Sequence, residues 1–220
     1  MKQIDMKKDK LDVWSAGYGG FNNHEEEKDE KIVKFIEKNC SKFLREMRRT
    51  GNFLYRGIDK LEKVPVVYLA TTPLHRVPIG QSTKAQHILD RIFKLVGFKA
   101  LRINSVPCTS DIKNASKWGN LHIIFPINGF DYMWCENIHD IGGDFSLERS
   151  LMDFTKESGR IQTPLNKQTA RAFVEKWGFT NEDFVEAMSA ETEISIHGQY
   201  VGIQRDEIMG SKILMKAFTE

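Results

Sequence analysis

Strand-like runs recur along this chain at uneven intervals, and the helical patterns between them differ in length. A parallel doubly wound sheet needs regular βαβ alternation, so this order predicts an α+β domain. Residues 53–58, 66–69, 99–106, 121–127 and 193–203 read as strands. Residues 25–49 read as one helix, with Ile32, Ile36, Cys40, Phe43, Leu44 and Met47 on a single stripe. Glu25, Glu26 and Glu27 open it and Arg48 and Arg49 close it, which suits the helix dipole. Ser82 caps a helix that runs to Val96 and stops at Gly97. Ser110 is placed to cap a short helix over 111–118. Further helices are predicted over 145–156, 164–177 and 181–188, with Gly178 as a stop, Thr180 as a cap and Asp183 at the capping-box position.

The organisation that follows is an N-terminal arm over 1–24 and a single domain over 25–220, with a helical insertion at about 145–190. Hydrophobic residues make up 40% of 220, enough for a sizeable core. The net charge of +2 implies no field on the scale of a nucleic-acid binder, although Lys42 to Arg49 is locally basic. Cys40, Cys108 and Cys135 are odd in number and widely spaced, which suggests no disulfide framework, no zinc site and a reducing cytoplasm. No apolar leader and no run of about 18 apolar residues is visible, so no membrane partner is expected.

Three clusters carry candidate chemistry. Arg56 sits mid-strand among Phe53, Leu54 and Ile58, where a guanidinium needs a partner: a salt bridge, or a pyrophosphate bound through its planar fork. Gly57 beside it lets a ligand approach the backbone. Glu191 and Glu193 are two residues apart, so on a strand both face one side, either as a solvated edge or as a working pair. His197 is in phase with them and within reach of the same cleft, while the histidines as a set show no metal-ligand spacing.

In order, Tyr55-Arg56-Gly57, Cys108-Thr109-Ser110 and Glu191-Thr192-Glu193 resemble the Arg–Ser–Glu signature of mono-ADP-ribosyltransferases. The Glu-x-Glu form resembles the arginine-modifying branch, and the whole is similar to bacteriophage enzymes that modify host proteins. The resemblance implies a split, mixed β core with flanking helices around an NAD cleft, NAD as co-substrate, no metal, and a target protein bearing an arginine, in the host cytoplasm if the chain is viral. It assigns Glu193 to the ribosyl cation, Glu191 to the acceptor and Arg56 to NAD phosphate, with Thr109 and Ser110 buttressing Glu193. Trp118, in Ala115-Ser116-Lys117-Trp118-Gly119, is a candidate to stack on nicotinamide, or else a core tryptophan. Two positions depart from the family: Cys108 stands where a serine is usual, and Leu121 where some members have a phosphate-binding arginine. These departures keep a catalytically weakened NAD-binding module as one alternative, and a nucleic-acid acceptor is another.

Overall fold

The computed structural model describes residues 23–77, 82–155 and 162–219. The predicted arm lies outside these residues except for its last two positions, which already belong to the first helix. The predicted helix over 25–49 is two helices, α1 (Asn23–Asn39) and α2 (Ser41–Thr50). The break falls at Cys40, whose φ of −118° and ψ of 23° leave the helical region. Its thiol donates to the carbonyl of Phe125 at 3.5 Å. The apolar stripe survives the break, since Ile32, Ile36, Cys40, Phe43, Leu44 and Met47 are all buried.

Eight strands form two four-stranded sheets. The first has the order β1 (Tyr55–Ile58), β4 (Asn120–Pro126), β8 (Gln199–Gln204) and β2 (Val67–Thr71). The second has the order β3 (Val106–Cys108), β7 (Ile194–His197), β5 (Asp131–Cys135) and β6 (Phe179–Thr180). Every neighbouring pair is antiparallel, so the fold is α+β with a β core split into two antiparallel sheets, and the expected mixing of parallel and antiparallel strands is corrected.

Two predicted strands are corrected. Residues 193–203 are not continuous: β7 and β8 lie in different sheets, and Gly198 carries the chain between them at φ 129°, a conformation that suits glycine. Residues 99–106 are not one strand either. The Asn104 side chain accepts from the Leu101 amide at 2.8 Å and donates to the Lys99 carbonyl at 3.1 Å. These local bonds fold the segment into a turn, and pairing begins only at Val106.

One core lies among Val106, Trp134, Ile194 and Ile196 of the second sheet, Ile123, Phe125, Val201 and Ile203 of the first, and the apolar stripe of α1 and α2. Short helices α7 (Phe184–Ser189), α8 (Arg205–Gly210) and α9 (Lys212–Thr219) add Phe184, Ile208, Leu214 and Phe218 to it. On the opposite face of the second sheet, Met133 and Cys135 pack on α3 (Thr83–Val96), α5 (Phe145–Met152) and α6 (Lys167–Trp177). Trp134 and its neighbours thus alternate between two cores, as a strand's period of two requires. The helical stretch over 145–190 is therefore part of the packing, with Leu147, Leu151 and Ala170 fully buried. The α7 cap is Asp183, not Thr180: its side chain accepts from the Glu186 amide at 3.0 Å, while Thr180 pairs within β6. Among the described residues, no helix is long and apolar enough to cross a membrane.

Candidate active site

The two sheets join at the edge strands β1 and β3. Tyr55 donates its amide to the Thr109 carbonyl at 2.7 Å, and the Thr109 amide returns to Tyr55 at 3.0 Å. A cleft opens along this seam. Its lining includes Arg56, Gly57, Cys108, Thr109, Trp118 and Glu193, six residues drawn from segments far apart in the chain.

Glu193 is 7% exposed and immediately precedes β7. One carboxylate oxygen accepts from the guanidinium of Arg102 at 2.7 Å, and the other accepts from the Ile141 amide at 3.0 Å. The assignment of its support to Thr109 and Ser110 is corrected by these bonds. Thr109 instead accepts from the Asp111 amide at 3.0 Å and donates to the Glu191 carbonyl at 3.3 Å. The Ser110 hydroxyl is buried without a hydrogen-bond partner among the described residues and is absent from the cleft wall. Nor does Ser110 cap the next helix, α4 (Ile112–Ser116): Asp111 does, accepting from the Lys113 amide at 2.8 Å.

The expectation that Glu191 and Glu193 share a strand face is also corrected. Glu191 is exposed, lies before β7, and has φ 57°. A left-handed non-glycine residue costs about 1–2 kcal/mol, and here the Thr109 hydroxyl helps to hold it. His197 does not reach the cleft: its Nδ1 lies 2.8 Å from the Asn104 carbonyl and 3.2 Å from the Thr72 hydroxyl.

Arg56 keeps its place on β1 and donates to the Tyr200 hydroxyl at 3.3 Å. Among the described residues no carboxylate lies within ion-pair distance of it. Gly57 lines the cleft and also serves a packing purpose. A Cβ there would stand 2.1 Å from the Ala115 carbonyl and 2.7 Å from the Trp118 Cβ, so the close approach is by α4 and its exit turn. Trp118 is 50% exposed, which removes the core alternative and leaves its ring at the cleft mouth. Cys108 is on the wall but only 3% exposed, and burial pushes its thiol up to about 12.

Sequence reasoning missed Arg76, Arg102, His139 and Asp140, all of which line the cleft. Arg76 has a buried nitrogen with no hydrogen-bond partner. Its guanidinium is pulled down to about 10 by burial and by the nearby charges of Arg102 and Arg56, against the opposing effect of Glu193. With Glu193 bound to Arg102, the cleft presents Arg56 and Arg76 as cations without carboxylate partners among the described residues. Among the described residues, no three His, Cys, Asp or Glu side chains gather to share a metal ion. Comparison with family models, with curated proteins and with solved structures finds no match.

Proposed function

We propose that this protein is an NAD-dependent mono-ADP-ribosyltransferase that modifies arginine side chains of a target protein. One observation carries the reading: Arg56, the Cys108–Thr109 turn, Trp118 and Glu193, singled out by their order in the chain, converge on a single cleft. The cleft's chemistry suits a dinucleotide. Arg56 and Arg76 offer forked donors to a pyrophosphate, and Trp118 offers a ring face to nicotinamide.

In the proposed reaction the bond between ribose C1 and nicotinamide nitrogen breaks, and its electron pair leaves with nicotinamide. The remaining oxocarbenium-like centre is stabilised by the Glu193 carboxylate, whose free lone pairs also take a ribose hydroxyl. A guanidinium nitrogen of the target then bonds to C1, and its proton passes to Glu191. The exposed position of Glu191 suits an acceptor presented by a macromolecule. An ADP-ribosyltransferase-like fold belongs to the same proposal, as does a bacteriophage protein acting on a host target.

The bond from Arg102 to Glu193 favours a second reading, an NAD-binding module whose carboxylate is too well neutralised to act. One experiment separates the two. The protein is incubated with NAD and an arginine-containing host lysate, and proteins are analysed by mass spectrometry. ADP-ribose on arginine is the expected product. NAD binding without nicotinamide release supports the module, and no NAD binding rejects both.

A further inference from the structure

We propose that Arg102 is the positioning residue of Glu193, fixing the plane of the carboxylate that the transferase reading makes catalytic. The inference rests on that reading for its kinetic meaning, and on geometry for its substance. Arg102 is 1% exposed, the largest fully buried side chain described. A guanidinium so placed is stable only if its charge is met, and its one ion-pair partner among the described residues is Glu193, at 2.7 Å.

The backbone around Arg102 is fastened from several sides. Its amide donates to Asp90 of α3 at 2.7 Å. The next residue, Ile103, accepts from the Arg76 amide at 2.7 Å, and the Asn104 carbonyl meets His197 at 2.8 Å. The turn closed by Asn104 therefore aims Arg102 at the base of the cleft and removes its freedom to look elsewhere. On the far side the Ile141 amide takes the second carboxylate oxygen. Two donors from two separate segments thus set the carboxylate plane.

None of the three side chains of the Cys108-Thr109-Ser110 turn takes part. Among the described residues, the Cys108 sulfur has its only hydrogen-bond contact with the Val106 carbonyl at 4.0 Å, Thr109 is committed to Glu191 and Asp111, and the Ser110 hydroxyl has no partner. Arg102 takes over the task that the sequence assigns to that turn. The other charged or titratable groups lining the cleft are Tyr55, Arg56, Arg76, Cys108, His139 and Asp140. Of these, Arg76 is cationic and close enough to feel Glu193.

The test compares the full chain with Arg102→Lys, Arg102→Gln and Arg102→Met. It measures NAD affinity by calorimetry, kcat and KM of nicotinamide release, and the orientation of the Glu193 carboxylate in crystal structures of the variants. Arg102→Met should bind NAD nearly as wild type does while kcat falls about 100-fold, the scale of a misplaced catalytic group. The Glu193 carboxylate should rotate out of its wild-type plane, because the Ile141 amide alone still holds it. Arg102→Lys should restore part of kcat. If Arg102→Met does not fold, Arg102→Gln is read in the same way. If neither folds, Arg102→Lys decides by whether kcat or KM changes. A raised KM with unchanged kcat would make Arg102 a substrate contact and overturn the proposal. So would an unmoved Glu193 carboxylate in a folded, uncharged variant. A wild-type protein that releases no nicotinamide, yet whose Glu193 carboxylate moves on substitution, would sink the transferase reading alone.

Discussion

Gly57→Ala tests whether the cleft wall is built by close packing of α4 on β1. The added Cβ would lie 2.1 Å from the Ala115 carbonyl and 2.7 Å from the Trp118 Cβ. Both obstacles sit on or next to backbone, so rotating a side chain relieves neither. Either β1 must leave its register with β4, where Gly57 faces Leu121, or α4 must lift. Overpacking of this kind costs about 1–3 kcal/mol, and the upper end is expected because backbone must move. Lifting α4 also carries Asn114 and Trp118 away from the cleft, so NAD affinity should fall with stability. Urea unfolding followed by calorimetry with NAD measures both. Gly210→Ala is the control: nothing lies within 4 Å of its Cβ, and the change should be neutral or stabilise by up to about 1 kcal/mol. A Gly57→Ala protein as stable as wild type, with NAD affinity intact, would refute the packing argument.

Arg56→Lys keeps the charge but loses the planar fork, so NAD affinity should fall by about 1–3 kcal/mol in calorimetry. Glu191→Gln should lose transfer to arginine while retaining NAD hydrolysis, since the ribosyl cation still forms and meets water; a parallel loss of both would remove its acceptor role. Stability should fall as pH rises above about 9. Burial pushes Cys40 and Cys108 up to about 12 and Cys135 to about 11, so the unfolded chain releases thiol protons that the folded chain keeps. Each thiol then contributes a slope of up to about 1.4 kcal/mol per pH unit. Thermal melts from pH 8 to 10.5 should show it, and Cys40→Ala should flatten it.

What the sequence discloses follows from how local each signal is. Ser82 and Gly97 bound α3 as expected, because a cap and a left-handed stop act within one turn. Gly178 stops α6 for the same reason. The strand carrying Arg56 and the buried stripe around Cys40 are also legible, since periodicity reports them directly. The rest depends on partners distant in the chain. Nothing near Gly198 announces that β7 and β8 belong to different sheets, and nothing near Arg102 announces that it is buried against Glu193. The Asn104 turn was the available signal, as asparagine in an apolar run often bends the chain onto itself. Strand β5, helices α8 and α9, and the loop bearing His139 and Asp140 are short, and packing rather than pattern decides them.

In the proposed reaction Glu193 stabilises the ribosyl cation formed from NAD. Nicotinamide release by wild type and Glu193→Gln, both checked for folding by circular dichroism, tests it most directly. Glutamine keeps the volume and a carbonyl for Arg102, but it leaves that guanidinium without a counter-charge and sets an amide donor against the Ile141 amide, so the rate is read in variant protein that folds and still binds NAD. The account predicts release by wild type and a loss of at least about 100-fold in the variant, as removal of a transition-state contact costs. Equal release by the two proteins would contradict it.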